Sequence, residues 1–533
     1  MRSNVNIVIK RDICYVCGIC IERCILDNIR MYLAPCRAAC PIHMNCQGYV
    51  RLIASGKEEE AAREIRKYLP FAGIVGRVCT HPCEEQCERR KVDDQAVHIR
   101  ALKRYLADTL PEVTHESARA DQKSGKRAAV VGSGPAGLMA AHDLAVRGHS
   151  VTVFDAASEP GGMLRWWIPA FRLPGEEVAH SIKMLETMNV MFQTGRALGK
   201  ELELEQLERE WDAVFLATGA GSAARLGITG EELDGVHQGL DLLREVREGT
   251  PPRFGKSAIV IGGGNTAVDA ALTCRKLGVE EVSIVCLEER NSMPAFQTEL
   301  QEALEEGIAI LDCWGPRKIS RQNDNRLKVE LSRCLRVFDD LGRFCPTLED
   351  ACGLAPSAES VVVAIGQRPN HSGIPSELLD ETKQSLSADP VTMQTRRPGV
   401  FAGGDAVFGP QSVIDAMANG REAALSIDRM LRGETLGWGR AYGDGTCITD
   451  FPIDRSGAVP RPRAQLPRVL VDTRDIRTEV EKTLDAKDAR AEAERCLNCG
   501  YPAEVNQTCW YCLPCEIECP VDALEVRMPY LVR

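Results

Sequence analysis

Sixteen of the 23 cysteines stand near the two ends of the chain, ten between Cys14 and Cys87 and six between Cys496 and Cys519. The first run is Cys14-x-x-Cys17-x-x-Cys20-x-x-x-Cys24. With this spacing, three thiolates hold a [4Fe-4S] cluster and the fourth serves a neighbouring cluster. Zinc is the less favoured alternative, because structural zinc sites generally use separated pairs of ligands.

The last run repeats this spacing, and Pro520 follows it as is usual, whereas Ile25 follows the first run. Its members are Cys509, Cys512, Cys515 and Cys519. The other clustered cysteines are Cys36, Cys40, Cys46, Cys79, Cys83, Cys87, Cys496 and Cys499. The sixteen therefore make four sets of four, enough for four clusters. Seven cysteines lack ligand spacing and are predicted to fill the core: Cys274, Cys286, Cys313, Cys334, Cys345, Cys352 and Cys447.

A glycine-rich turn lies between a predicted strand at 128–131 and a predicted helix at 136–146. A second strand at 151–154 ends on Asp155, an acid about 20 residues beyond the glycines, which would bond ribose hydroxyls. The helix N-terminus would face a pyrophosphate. The residues of this turn are Gly132, Gly134, Pro135, Ala136 and Gly137. Strand, helix, spacing and acid together predict a dinucleotide site.

A second turn of the same kind follows an apolar strand that begins at Ala258 and precedes a helix at 267–277. Its residues are Gly262, Gly263, Gly264, Asn265 and Thr266. The chain is thus predicted to carry a second dinucleotide site.

Composition narrows the class of protein. Hydrophobic residues make up 44% and charged residues 26%, which is ordinary for globular domains. The net charge of -11 argues against a nucleic-acid partner. No apolar run approaches the ~18 residues of a membrane helix, and the N-terminus has no signal-peptide core. A cytoplasmic location without a membrane span is therefore expected.

Motifs around the middle cysteines identify a family. They are Pro35-Cys36-Arg37-Ala38-Ala39-Cys40-Pro41, then residues 76–87 with Cys79, Cys83 and Cys87, and then 97–104. The sequence resembles the glutamate synthase small-subunit type of flavoprotein. The same type recurs in the N-terminal half of dihydropyrimidine dehydrogenase and in bifurcating transhydrogenase large subunits. The resemblance covers roughly residues 35–430. It implies a helical iron–sulfur domain, an FAD domain and a nicotinamide domain.

By this resemblance the first turn binds FAD and the second binds the nicotinamide cofactor. Further FAD residues implied by it are Gly162, Met163, Leu164, Arg165, Arg172, Thr218, Gly219, Gly404, Asp405, Ser412 and Val413. Asp405 would bond the ribityl chain, and the helix that begins near Ser412 would point at the isoalloxazine. Ile365 and Gly366 would close the nicotinamide domain. No side chain is predicted to be catalytic, since hydride transfer belongs to the flavin.

The cofactor is expected to be NAD(H). NADPH-using relatives carry an arginine pair after the second strand of this domain, whereas this chain has Leu287 and Glu288. A carboxylate there would repel a 2′-phosphate and accept hydrogen bonds from a free 2′-hydroxyl. Arg290 is the nearby cation that could rescue NADPH binding or instead stack on the adenine. In the alternative interpretation, Glu288 only faces solvent at a strand end.

The resemblance also suggests ligand sets. The family's Arg-Cys-x-x-Cys-Gly segment precedes its iron–sulfur domain, but here it stands at 495–500. If the segment folds back, one cluster takes Cys36, Cys87, Cys496 and Cys499. The next takes Cys40, Cys79 and Cys83. Relatives place a Gln or Glu ligand where this chain has Lys103, which cannot ligate iron, so Cys46 is assigned instead.

The two terminal runs would then pair as one split ferredoxin. Cys14, Cys17 and Cys20 would share a cluster with Cys519, and Cys509, Cys512 and Cys515 would share one with Cys24. Alternatively, each end builds separate clusters with a partner subunit.

The predicted fold class is α/β, with two Rossmann-like domains, a helical iron–sulfur domain and ferredoxin-like α+β terminal segments. The predicted boundaries are 1–34 for the first half of the ferredoxin-like module, 35–115 for the helical double-cluster domain and 116–127 for a linker. The FAD domain takes 128–250 and 371–436, and the NAD domain takes 251–370. An irregular linker takes 437–490, and the C-terminal cluster segment takes 491–533.

The predicted function is electron transfer between NADH and an acceptor through FAD and up to four clusters. The acceptor would be a separate catalytic subunit or a ferredoxin, which makes this chain a part of a hetero-oligomer. A redox sensor or scaffold that holds clusters, and an NADPH-dependent glutamate-synthase-type subunit, are the alternatives. NADH-dependent dye reduction separates an enzyme from a sensor.

Overall fold

A computed structural model describes residues 6–114, 122–351, 353–380, 385–440, 447–506 and 509–527. Residues 116–121 of the predicted 116–127 linker and Cys352 lie outside these ranges. The first range is mainly helical, and its apolar side chains pack inward from several short helices. Its elements are β1 (Ile7–Ile9), α1 (Ile19–Glu22), β2 (Ile29–Tyr32), α2 (Pro35–Ala38), α3 (Cys46–Ala54), α4 (Glu58–Tyr68), α5 (Ala72–Val78), α6 (Pro82–Glu85), α7 (Arg90–Asp93), α8 (Ile99–Thr109) and α9 (Pro111–Thr114).

The first parallel sheet has five strands in the order β20-β6-β3-β4-β5. Its region contains β3 (Arg127–Val131), α10 (Pro135–Val146), β4 (Ser150–Phe154), α11 (Met163–Trp166), α12 (Gly175–Thr187), β5 (Met191–Gln193), α13 (Leu204–Glu210), β6 (Ala213–Leu216) and β7 (Ser222–Ala223), which pairs with β17 outside this sheet. The remaining strand, β20 (Val400–Ala402), comes much later in the chain. Continuous apolar strands of this kind are typical of sheets that are covered on both faces.

The second parallel sheet has the order β11-β10-β9-β16-β8. Its region contains β8 (Val236–Gln238), α14 (Gly239–Glu248), β9 (Ser257–Ile261), α15 (Asn265–Lys276), β10 (Glu281–Val285), a 3-10 turn (Arg290–Ser292), α16 (Gln297–Glu305), β11 (Ala309–Leu311), β12 (Trp314–Arg321), β13 (Leu327–Phe338), β14 (Phe344–Leu348), β15 (Ser357–Ala358), β16 (Ser360–Val363) and β17 (Gln367–Arg368). Strand β8 pairs with β16, so this sheet includes chain before the predicted boundary at 251.

The rest of the chain adds strands to the first parallel sheet and to the strands near the N-terminus. Its elements are a 3-10 turn (Ser376–Leu378), β18 (Leu379–Asp380), β19 (Ser385–Leu386), β20 (Val400–Ala402), α17 (Asp405–Phe408), α18 (Val413–Arg432), β21 (Cys447–Ile448), a 3-10 turn (Val471–Thr473), α19 (Ala486–Ala493), β22 (Tyr501–Glu504), α20 (Pro514–Ile517) and β23 (Leu524–Val526). Helix α19 thus begins inside the range predicted as irregular. In the described part of the chain, no helix is long and apolar enough to cross a membrane.

The two ends of the chain meet. Strand β1 pairs antiparallel with β23, and β2 lies between β21 and β22. The amide of Gln47 exchanges two hydrogen bonds with the backbone of Gly500, at 2.7 and 2.9 Å. The C-terminal segment therefore folds back onto the N-terminal helices.

Residues 464–484, here called the strap, run from the helical domain to the second sheet. Their backbone is mostly irregular, but they are held by ion pairs at both ends. Glu479 pairs with Arg77 and Arg104, each at 2.8 Å, and Arg468 pairs with Glu302 of α16 at 2.8 Å. The strap thus ties α5 and α8 to the helix that covers the second sheet.

Arg495 anchors the returning segment. Its side chain is 1% exposed and pairs with Glu492 at 2.6 Å and with Asp93 at 3.1 Å. It also donates to the carbonyls of Gln95 and Ala96. We expect Arg495→Met to lower the free energy of unfolding by about 3–5 kcal/mol, because it leaves buried carboxylates uncompensated.

Urea unfolding followed by circular dichroism measures this loss. Arg461→Met is the matched control, since Arg461 forms a half-exposed pair with Glu494 and should cost about 1 kcal/mol or less. Equal midpoints for the two variants would contradict the anchoring role of Arg495.

Candidate functional site

The first glycine turn joins β3 to α10 and has the geometry that phosphate binding requires. Gly132 has φ +106°, and a Cβ there would overlap the carbonyl of Ala217. A Cβ at Gly137 would overlap the carbonyl of Gly132, so this glycine permits close helix–strand packing. A Cβ at Gly134 would meet nothing within 4 Å. Open space at this backbone position is what an approaching pyrophosphate needs.

Asp155 holds this turn in place. Its carboxylate accepts hydrogen bonds from the Ser133 and Ala157 amides, both at 2.8 Å, and from the Ser133 hydroxyl. Asp155 also lines the adjoining cavity, which leaves the predicted ribose contact as a second role.

A cavity of about 400 Å³ extends from this turn. Thirteen of the predicted FAD residues line it: Gly132, Gly134, Pro135, Ala136, Asp155, Gly162, Met163, Thr218, Gly219, Gly404, Asp405, Ser412 and Val413. Its wall thus comes from both segments of the first sheet's domain. The buried hydroxyl of Thr218 has no hydrogen-bond partner in the described chain, as expected of a group that awaits a ligand.

Four predicted FAD residues do not line this cavity. Leu164 is fully buried in the core, and Gly137 serves packing. Arg165 pairs with Glu159 at 2.8 Å. Arg172 pairs with Asp269 of α15, so it joins the two sheet domains.

Asp405 and α18 lie at the far wall of the cavity. Burial raises the pKa of the Asp405 carboxyl to about 6, although the Gln411 amide donates to it at 3.1 Å. The Ser412 side chain caps α18 by accepting from the Asp415 amide. A weakly acidic carboxyl and a helix N-terminus therefore border the cavity where the flavin is predicted to bind.

Several wall residues lacked any signal in the sequence analysis: Ser133, Ala217, Arg244, Gln367 and Gln411. Trp166 and Trp167 also contribute. Gln367 comes from the chain beyond the second sheet, and only the folded structure brings it here. The side chain of Ser133 could have been noticed as a hydroxyl donor to Asp155.

We expect Gly134→Ala to lower FAD affinity by at least about tenfold, a loss of about 1.4 kcal/mol, because its methyl group enters the pyrophosphate space. The fold should survive, since the methyl group meets no protein atom. Gly264→Ala is the matched control. It stands at the equivalent open position of the second turn and should weaken nicotinamide binding while FAD is retained. Fluorescence titration of FAD into the apoproteins measures both, and unchanged FAD affinity in Gly134→Ala would contradict the site.

The second turn repeats this architecture. Gly262 has φ +145°, and a Cβ there would overlap the carbonyl of Ala364. The Glu288 carboxylate lies against the turn, about 2.5 Å from where a Gly263 Cβ would be. Arg290 donates to the Ile310 carbonyl at 3.3 Å. The acid, and not the cation, is thus in contact with the turn.

A larger cavity of about 820 Å³ lies between the helical domain and the two sheets. Asn265 and Thr266 of the second turn line it, as do Met163 and Trp167 of the FAD cavity. Cys79 forms part of its wall as well. The other predicted nicotinamide residues are not part of this wall: Gly262, Gly263, Gly264, Glu288, Arg290, Ile365 and Gly366.

The thiols that the sequence analysis grouped do lie together. The inner set is Cys40, Cys46, Cys79 and Cys83, and all four are buried. The second set, Cys36, Cys87, Cys496 and Cys499, lines one small cavity. The third set, Cys14, Cys17, Cys20 and Cys519, lines another. In the outer set, Cys24, Cys509 and Cys512 surround Cys515.

This donor set suits [4Fe-4S] clusters, each of which takes four thiolates. Among the described residues, no three His, Cys, Asp or Glu side chains converge as the ligands of one metal ion would. Ligands of a cluster differ in this respect, because each thiolate bonds a different iron.

Cys46 lies at the junction of two sets. Its thiol contacts those of Cys36, Cys40 and Cys83, and it also faces the cavity of the second set. The contact with Cys46 lowers the pKa of the Cys40 thiol, against the opposing effect of burial. Lys103 is buried beside the same thiols.

Comparison with known proteins identifies the family. Residues 126–420 match the pyridine nucleotide-disulphide oxidoreductase family, and residues 12–115 match the 4Fe-4S domain II of dihydropyrimidine dehydrogenase. The chain belongs to the pyridine nucleotide-disulphide oxidoreductase family. The predicted FAD and iron–sulfur oxidoreductase class is thereby confirmed.

Relatives in this family include subunits of larger enzymes. The chain is 35% identical to the NADP(+)-dependent formate dehydrogenase subunit beta of Moorella thermoacetica, over 87% of this chain and 70% of that one. It is 34% identical to the NADPH-Fe(3+) oxidoreductase subunit beta of Geobacter sulfurreducens, over 91% and 78%. It is 31% identical to the NAD-dependent dihydropyrimidine dehydrogenase subunit PreT of Escherichia coli, over 77% and 93%.

A solved structure shows the same fold. Mycobacterium tuberculosis FprA in complex with NADPH has a TM-score of 0.52 at 19% identity, over 58% of this chain and 85% of that one. With the two parallel sheets, this confirms the predicted α/β fold class. The prediction of an electron-transfer oxidoreductase with FAD and 4Fe-4S domains is likewise confirmed by the family.

Proposed function

We propose that the chain is an electron-transfer subunit that passes electrons between NADH and a partner protein through FAD and four [4Fe-4S] clusters. The observation that carries this proposal is the larger cavity. Residues of the second turn, of the FAD cavity and of the inner thiol set share its wall. FAD, when bound, accepts a hydride and releases its two electrons singly.

The contribution of the chain is to hold these sites in a fixed order. Cys46 contacts Cys36, which joins the inner and second sets. Arg51 lies near both Cys496 and Cys14, between the second and third sets. Cys20 lies near Cys515, between the third and outer sets. We therefore infer an electron route from the cavity through the inner, second, third and outer sets.

The outer end of this route is open to a partner. Cys512 is exposed, and exposed apolar side chains surround its set, with Trp510 75%, Ile517 75% and Ile25 70% exposed. We propose that a catalytic subunit or a ferredoxin exchanges electrons here. We also propose a cytoplasmic location, since so many ligand thiols need a reducing compartment.

We expect about sixteen iron atoms and one FAD per chain after anaerobic purification, four irons for each thiol set. The scattered, buried Cys274 provides a control, and Cys274→Ser should leave the iron content unchanged. NADH added without oxygen should bleach first the flavin and then the cluster absorbance, and should support dye reduction. Iron near eight per chain would remove the split-ferredoxin assignment, and bleaching without dye reduction would favour a sensor.

We propose that NADH is preferred to NADPH, because the Glu288 carboxylate lies against the second turn, where a 2′-phosphate would meet it. Since like charges brought together cost several kcal/mol, we expect a preference of roughly a hundredfold or more in kcat/KM. The relatives differ here, as two carry NADP-linked names and one is NAD-dependent.

Steady-state kinetics of Glu288→Gln tests this preference, which should fall in that variant through better use of NADPH. Glu289→Gln is the matched control, because this neighbouring acid is exposed to solvent and should leave the ratio unchanged. Equal use of both cofactors by the unaltered protein would contradict the role of Glu288.

A further inference from the structure

Lys103 places a buried positive charge beside the inner set. The residue is 5% exposed and lies in α8, which packs against α3, α5 and α6. These helices carry Cys46 and Cys83 and lead directly into Cys79. The ionisable side chains that act most strongly on the Lys103 ammonium are those of Cys79, Cys83, Cys40 and Cys46.

The neighbouring cations of α8 are offset by carboxylates. Arg100 pairs with Glu481 at 2.8 Å, and Arg104 pairs with Asp108 and Glu479. Within the described part of the chain, no carboxylate forms an ion pair with Lys103. The thiols are therefore the groups on which its charge acts most strongly.

Such a charge acts on reduction. An ammonium has no lone pair for iron, and it stays cationic at neutral pH. Each electron that a cluster accepts adds one negative charge, and a nearby cation stabilises the reduced form more than the oxidised form. Net charge and hydrogen bonds to sulfur are among the factors that set cluster potentials. Burial keeps the effect from being screened by salt.

We propose that the positive charge of Lys103 raises the reduction potential of the cluster held by Cys40, Cys46, Cys79 and Cys83. This inference rests on the proposed cluster ligation. It makes the inner cluster the favoured first acceptor of single electrons from the flavin side of the larger cavity. Lys103 thereby influences how readily the inner cluster takes an electron, without bonding to iron.

The test is an anaerobic redox titration of the full holoprotein, followed by EPR. Loss of one signal in Cys79→Ser identifies the inner cluster. Lys103→Met keeps the length of the side chain and removes its charge, and Lys103→Arg keeps the charge. Arg51→Met is the matched control, because Arg51 is a cation near the second and third sets.

In Lys103→Met we expect the equilibrium constant for one-electron reduction of the inner cluster to fall at least about tenfold, which is about 59 mV for one electron. Lys103→Arg should stay near the unaltered potential, and Arg51→Met should leave the inner signal in place. An unchanged potential in Lys103→Met overturns the proposal. So does loss of the cluster in that variant, which would make Lys103 an assembly residue. Absence of the four clusters from the unaltered protein would instead refute the proposed function.

Discussion

The closure of the chain on itself is the constraint on which the rest of the structure depends. Three of the four thiol sets take members from both ends, and only the inner set is complete within the N-terminal helices. Arg495 fixes this closure through Glu492 and Asp93, in a place where its charge is hidden from water. A buried cation of this kind is costly without partners, so its contacts with Asp93, Gln95 and Ala96 hold the returning segment against the N-terminal helices.

Local patterns explain what the sequence could predict. Both glycine turns lie between a strand and a helix, as predicted. These turns are visible in the sequence because Gly132 and Gly262 have the positive φ that favours glycine, and because the strand and helix that flank each turn are adjacent in sequence. The family resemblance suggested the inner and second thiol sets, and the spacing of the two terminal runs suggested the third and outer sets. The ligation itself remains a prediction, as does the role of Glu288.

Long-range contacts explain what the sequence could not predict. Strand β8 joins the second sheet by pairing with β16, more than a hundred residues later, and nothing near Val236 signals that partner. The strap has the composition of a loop, yet Val480 donates to the Phe171 carbonyl at 3.0 Å and lies in the core beside the second sheet. Arg172 was expected at the flavin but bonds Asp269, because the two domains meet there only after folding.

Ion pairs hold the helical domain and the two sheet domains together around the larger cavity. This suits a cavity that a cofactor must enter and leave. Arg172 lies among Asp269, Glu299 and Glu302, and Arg468 of the strap completes the group. Burial raises the pKa of the Glu299 carboxyl, against the opposing effect of Arg172. Apolar packing would close this space, whereas hydrogen-bonded ion pairs fix directions and leave a polar wall. Cys79 lies in the same wall as Met163 and Trp167 of the first cavity, so these ion pairs also hold the inner thiol set in place beside that cavity.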